Sequence, residues 1–173
     1  FEVGGAAAIA GAMINAIDGA RGIFEADQVL AAIRPPMRHA PKATLVAVEQ
    51  TANMGGGSVW PLTRLAEVAE AGRGAGMAVH MDGARLLNAV VASNVSAKDY
   101  AETADSVWID LSKGLGCPVG AVMAGSAEFI DAAWRWKQRL GGAMRQSGVL
   151  AAAGLYALDY NVERLAEDHA NAR

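Results

Sequence analysis

Two short segments combine residue types that can hold and work on a small molecule. His80-Met-Asp82-Gly-Ala-Arg85 carries an apolar run into a carboxylate, then a glycine, then a guanidinium. Leu111-Ser-Lys113-Gly-Leu-Gly116 carries another apolar run into a lysine among small residues. An amine attacks an aldehyde only when it is neutral and unobstructed, and partial desolvation beside glycines meets both needs. A buried carboxylate can keep a pyridine nitrogen protonated, which makes such a ring an electron sink. On spacing alone the ordinary reading carries more weight. A strand-end aspartate commonly caps the next helix, and a Ser-Lys-Gly turn is commonly a solvated loop.

The elements that must position these residues are readable from periodicity and punctuation. Phe24 to Ile33 has apolar residues at helical spacing and stops before Pro35-Pro36. Ala43 to Glu49 is an apolar, β-branched run that reads as a buried strand, followed by a glycine-rich loop over Thr51 to Ser58. Pro61 opens a helix whose apolar face is Leu62, Leu65, Val68 and Ala69, and the glycines from Gly72 to Gly76 end it. Met77 to Met81, Ser106 to Leu111 and Val119 to Ala124 read as further strands, and Ala84 to Ser93 as a helix. From Ala127 onward the pattern is helical, with Phe129, Ile130, Ala133, Trp134 and Leu140 on one side, and Tyr160 to Arg173 reads as a charged helix. Strands alternating with helices predict an α/β domain around a mainly parallel sheet. Ligands of such sheets gather at the carboxyl ends of the strands, where Asp82 and Lys113 fall.

Composition bounds the answer. The 173 residues are 53% hydrophobic and 19% charged, which fits an ordered domain with a substantial core. A net charge of -3 gives no reason to expect nucleic acid or an acidic membrane as partner. The longest apolar run, Gly4 to Ile14, is too short and too rich in Gly and Ala to span a bilayer, so no membrane is expected. The single cysteine, Cys117, cannot form an internal disulfide and suits a cytoplasmic location. The chain opens inside an apolar, glycine-rich stretch and closes inside a charged one, and a piece of a longer protein is expected.

The segments Glu49-Gln-Thr51, His80 to Asn88, Leu111 to Gly116 and Gly141-Gly-Ala-Met-Arg-Gln146 resemble, in order, the motifs of threonine aldolases, and Glu163 to His169 continues the match. That family lies within the β-eliminating lyase group of fold-type-I pyridoxal-phosphate enzymes. The resemblance runs over essentially the whole chain. It implies residues 1–173 as a partial cofactor-binding large domain of the aspartate-aminotransferase-like fold, lacking an N-terminal segment and a C-terminal small domain. It also implies a homodimer or homotetramer that uses pyridoxal 5'-phosphate to cleave a β-hydroxy-α-amino acid into glycine and an aldehyde. Removal of a β-substituent from an aromatic amino acid is the alternative chemistry, and a non-catalytic remnant the alternative class.

Carried over by position, Lys113 is similar to the lysine that binds the cofactor covalently, and Asp82 to the partner of its pyridine nitrogen. Arg85 is similar to the residue beside the cofactor phenol oxygen and the substrate carboxylate, a role that suits a planar guanidinium. Arg145 takes the position of an arginine near the cofactor phosphate, contributed across a subunit boundary, with a helix-surface charge as the alternative. Two departures stand out. Ala52 replaces a histidine usual in the loop after Glu-x-Thr, which leaves room for a larger substrate side chain. The stacking histidine and phosphate loop of the family lie upstream of Phe1 in its pattern. His80 shares a strand face with Asp82 and either lines the site or is a buried structural residue. Cys117 reads as a packed thiol, and neither His39 nor His169 has metal-ligand spacing with it.

Overall fold

Four strands build the sheet in the computed structural model, which describes residues 2–173, and the first two alternate buried with more open residues. They are β1 (Leu45–Glu49), β2 (Ala78–Gly83), β3 (Ser106–Asp110) and β4 (Ala121–Gly125). The strands form one sheet in chain order, with β1, β2 and β3 parallel and β4 antiparallel to β3. The expected α/β fold with a mainly parallel sheet is therefore present. The helices are α1 (Gly5–Ala10), α2 (Ala26–Ala32), α3 (Leu62–Gly74), α4 (Leu86–Ser93), α5 (Ala97–Ala101), α6 (Ala127–Arg139), α7 (Gly148–Tyr160) and α8 (Leu165–Asn171).

The core lies on one face of the sheet. Val46, Val48, Met81 and Val107 point into it and meet Leu65 and Val68 of α3, Leu86 and Ala89 of α4, and Tyr100 of α5. Phe24 and Trp60 seal its edge in a T-shaped ring contact at 4.9 Å. At about 25 cal/mol per Å² of buried apolar surface, side chains of this size each contribute roughly 1.5–3 kcal/mol. The opposite face carries the alternate residues. His80 and Asp82 are half-buried there, and Leu45 is 54% exposed. This asymmetry places the polar strand residues on the side where a ligand has access.

Three local expectations change. The predicted charged helix over Tyr160 to Arg173 is interrupted, because α7 ends at Tyr160 and a turn precedes α8. The break is stabilised by Asn161, whose side-chain amide donates to the Leu115 carbonyl at 2.8 Å. The apolar side expected on α6 exists, yet Trp134 (50% exposed) and Leu140 (61%) are largely open, and only Ile130 and Ala133 are half-buried. Ala84 and Arg85 belong to the turn before α4, which starts at Leu86.

Candidate active site

The carboxyl end of β1 organises the turn after β2. Gln50 follows β1 and is fully buried; its N–H donates to the Asp82 carbonyl at 2.8 Å, and its carbonyl accepts the Arg85 N–H at 3.1 Å. Its side chain is satisfied twice by Trp60, donating to the carbonyl at 3.2 Å and accepting from the N–H at 3.1 Å. A buried amide with every polar group paired is a rigid fixture. It holds Asp82 and Arg85 at the two ends of one short turn.

Within that turn Asp82 Oδ1 accepts the Ala84 N–H at 3.0 Å. Asp82 therefore closes the turn before α4 and does not cap the helix itself, whose N-cap residue, Arg85, makes no side-chain cap; the turn occupies one carboxylate oxygen. Asp82 lies beside Trp108 in the β2–β3 register, two residues along from His80, which lies beside Ser106. His80 and Asp82 share a face, as their spacing requires. His80 Nδ1 and Ser106 Oγ are 2.8 Å apart. Burial pushes the His80 imidazole below its ordinary range, opposed by the Asp82 charge and the Ser106 bond.

Lys113 projects from the loop between β3 and β4. That loop is clasped at its base, where Leu111 N–H donates to Gly120 O and Cys117 N–H to Leu111 O, both at 2.9 Å. Inside the clasp, Gly116 N–H closes a turn on the Lys113 carbonyl at 2.9 Å, with Gly116 at φ +72°. Gly114 is small for another reason: a β-carbon there would lie 2.7 Å from Leu165 and 3.2 Å from the Asn88 side chain. The close approach packs α8 and α4 around the loop. Asn88 Nδ2 and His169 Nε2, 3.2 Å apart, join those two helices.

The Lys113 ammonium sits 3.1 Å from Asp110 Oδ2 and 5.5 Å from the centre of the Trp108 ring. Asp110, the last residue of β3, also accepts from the Ser112 N–H at 2.8 Å and the Ser112 hydroxyl at 2.7 Å. Burial works to raise the Asp110 carboxyl, but the Ser112 bonds and the Lys113 charge outweigh it and hold it below the usual carboxylate range.

Asp82, Arg85 and Lys113 thus come to the same end of the sheet, and Arg85 lines a narrow cleft with Asn88, Asp110 and Gly114. Arg145 does not join them. It lies on the exposed segment between α6 and α7, so it is a loop charge, not a helix-surface one. Ala52 is 5% exposed, and its methyl packs against the backbone of Gly22. The extra room expected from its small side chain is not there, because the chain closes over it. Cys117 is a packed thiol, 7% exposed, with its sulfur 3.5 Å from the Ala153 carbonyl. Sequence reasoning passed over Gln50 and Asp110 as individual residues. For Asp110 a signal existed: Asp-Leu-Ser at a strand end is a side-chain-to-backbone turn.

The sequence pattern of the beta-eliminating lyase family matches residues 1–173. A low specificity L-threonine aldolase of Escherichia coli is 46% identical over 173 residues, covering 99% of this chain and 51% of that protein. The low-specificity L-threonine aldolase 1 of Arabidopsis thaliana is 39% identical over 176 residues, covering 100% of this chain and 49% of that protein. The chain spans about half the length of the curated relatives it matches. Among solved structures, a Leishmania major threonine aldolase superposes with a TM-score of 0.78 at 18% identity, over 92% of this chain and 47% of that one. A Listeria monocytogenes structure assigned to L-allo-threonine aldolase gives 0.82 at 24% identity, over 96% and 44%. At these identities the structural likeness speaks for the fold.

Proposed function

The chain belongs to the β-eliminating lyase family, and from that premise we propose that the complete protein is a pyridoxal-phosphate-dependent aldolase. Its substrate would be a β-hydroxy-α-amino acid of the threonine, allo-threonine or phenylserine type, cleaved to glycine and an aldehyde. The observation that carries this reading is that an amine and a carboxylate are brought to one end of the sheet. Asp82 lies near the carboxyl end of β2 and Lys113 follows the neighbouring β3, so both stand at one end of one sheet, in a chain 46% identical to a threonine aldolase.

The donor set fits the cofactor. Lys113 sits on a glycine turn with its side chain 39% exposed, which lets an aldehyde reach it. Asp82 keeps one oxygen on its own turn and is half-buried, the setting in which a carboxylate holds a pyridine nitrogen in its protonated form. When bound, pyridoxal phosphate supplies the sink for the electron pair left as the Cα–Cβ bond breaks. The residues of this chain do the rest. Lys113 provides the nitrogen for covalent attachment, and Arg85 holds the substrate carboxylate and so orients the scissile bond. Arg145 is proposed as a phosphate contact from a neighbouring subunit, which its exposed loop position supports.

Residues 1–173 are then part of a large cofactor-binding domain within a homodimer or homotetramer. The open tryptophans of α6 support a covering subunit. A cytoplasmic enzyme is proposed, and no helix among the described residues is long and apolar enough to cross a membrane. The test is product analysis on the complete protein with cofactor and each of the three substrates. Glycine plus aldehyde supports the proposal; pyruvate plus ammonia assigns β-elimination instead. Absence of cofactor-dependent visible absorbance points to a non-catalytic remnant.

A further inference from the structure

The loop that carries Lys113 begins with a carboxylate of its own. The Asp110 side chain is 12% exposed, and its two oxygens have separate partners: Ser112 takes Oδ1, and Lys113 takes Oδ2 at 3.1 Å. Two bonds from one serine fix the plane of the carboxylate, so Oδ2 is aimed before the lysine arrives. Trp108, two residues earlier on the same face of β3, turns its ring toward the same ammonium at 5.5 Å. Together they form a seat for a cation. The Asp110–Lys113 pair is not needed to close the loop, because the backbone bonds of Leu111 with Gly120 and Cys117 already do that. Asp82 from β2, Arg85 ahead of α4 and His169 from α8 also bound this end of the sheet. Among the described residues, the ion pair of Lys113 is with Asp110.

We propose that Asp110 is the positioning residue for Lys113: it seats the ε-ammonium at the end of β3 whenever that nitrogen is not joined to the cofactor. The proposal rests on the reading of Lys113 as the cofactor-binding lysine. The proton balance shows why such a seat is useful. A substrate enters as an ammonium and takes over the bond to the cofactor carbon, while the bond from that carbon to Nζ breaks. With the C=N bond protonated before and after, the substrate nitrogen sheds two protons and Nζ takes up two, so lysine leaves as an ammonium and both atoms and charge balance. A cation is thereby released beside the reacting carbon, and Asp110 receives it there. The same seat holds the nitrogen against the carboxylate and the Trp108 ring until the cofactor carbon takes it.

The experiment reads the nitrogen directly, without catalysis. The complete protein, freed of cofactor, is treated with an amine-acylating reagent over a range of pH, and acylation at each lysine is followed by peptide mass spectrometry. Lys98, 82% exposed in its side chain, serves as the reference. Asp110→Asn is expected to accelerate acylation of Lys113 about tenfold near neutral pH, because the amine loses the carboxylate that holds it at 3.1 Å. Asp110→Glu should keep much of the parent's protection, which a purely structural role for the aspartate would not require. Ser112→Ala, which frees the carboxylate from one bond, should give an intermediate acceleration and decides the matter if the Asn variant does not fold. Parent rates in Asp110→Asn or Ser112→Ala, or Asp110→Glu as fast as Asn, would overturn the proposal. Addition of pyridoxal phosphate followed by borohydride separates the two readings. Reduction onto another lysine overturns the assignment of Lys113 while the acylation results stand on their own.

Discussion

Gln50 and Asp82 are joined backbone to backbone at 2.8 Å, and the same Gln50 peptide reaches on to the Arg85 N–H. A residue that touches no substrate therefore frames the turn on which two proposed site residues sit. Gln50→Ala removes both side-chain bonds to Trp60 and leaves the buried Trp60 N–H without a partner, while the Trp60 carbonyl keeps the Tyr100 hydroxyl at 3.4 Å. For one unsatisfied buried group the expected loss is about 1–3 kcal/mol. Urea denaturation of the complete apoprotein checks it, and a midpoint close to the parent's contradicts it.

Lys113→Ala should abolish covalent attachment of pyridoxal phosphate. Borohydride reduction and peptide mapping of the parent should place the label on Lys113. A label on Lys42, Lys98 or Lys137 would sink the assignment.

Asp82→Asn separates charge from shape. An asparagine oxygen can still accept the Ala84 N–H, so the turn should persist while the carboxylate charge is lost. Cofactor should bind and turnover should fall by about two orders of magnitude, in line with roughly 3 kcal/mol for one well-placed electrostatic partner. Near-normal turnover would leave Asp82 as a turn-former and nothing more.

Stability should respond to mild acid through His80. Its folded imidazole binds a proton less readily than the unfolded one, chiefly because of burial, with Asp82 and Ser106 opposing. Above the unfolded value, about 6.5, both states are neutral and the full stability is present. As pH falls from there through the lowered folded value, the unfolded chain takes up the proton first and stability declines. His80→Asn keeps a polar partner for Ser106 without that titration. Urea midpoints near neutrality and in mild acid should differ less in the variant than in the parent; equal differences would refute the assignment.

Ala52→His should destabilise the loop instead of retuning specificity. The methyl is 5% exposed and close to Gly22, so an imidazole there must push its neighbours aside. Overpacking of this kind typically costs about 1–3 kcal/mol. A thermal midpoint equal to the parent's would show that the loop opens more readily than its packing suggests.

Much of this architecture was legible because the strands announce themselves. Val46, Val48, Val79 and Met81 alternate with exposed or half-buried residues, and Pro61 and the glycines after Gly72 punctuate α3. The polar strand ends carrying Asp82 and Lys113 followed from that register. Helix α7 falls within the stretch from Ala127 onward that reads as helical, but its start was not legible: Gly148-Val-Leu-Ala-Ala-Ala-Gly is apolar on every side, so no period marks where it begins. Short α5 escaped for want of length, although Ser96 caps it by accepting the Asp99 N–H. The Gln50 fixture was hidden for a different reason. Its partners lie 10, 32 and 35 residues away, and only the folded sheet brings them together. Asp110 stood in plain sight three residues before the lysine, but spacing does not reveal which way a carboxylate is aimed.

The clasp of Leu111 with Gly120 also bears on how this chain tolerates length changes. An antiparallel neighbour needs no crossover, so only the loop inside the clasp carries the amine. A residue inserted between Ser112 and Val119 cannot be passed on into either strand, whose pairing is held from outside. It must be absorbed by rotating the turn that presents Lys113. A residue inserted between α4 and α5, by contrast, lengthens a surface connection and leaves the amine where it is. Insertions accepted by selection should therefore be absent from the clasped loop and concentrated in such outer connections.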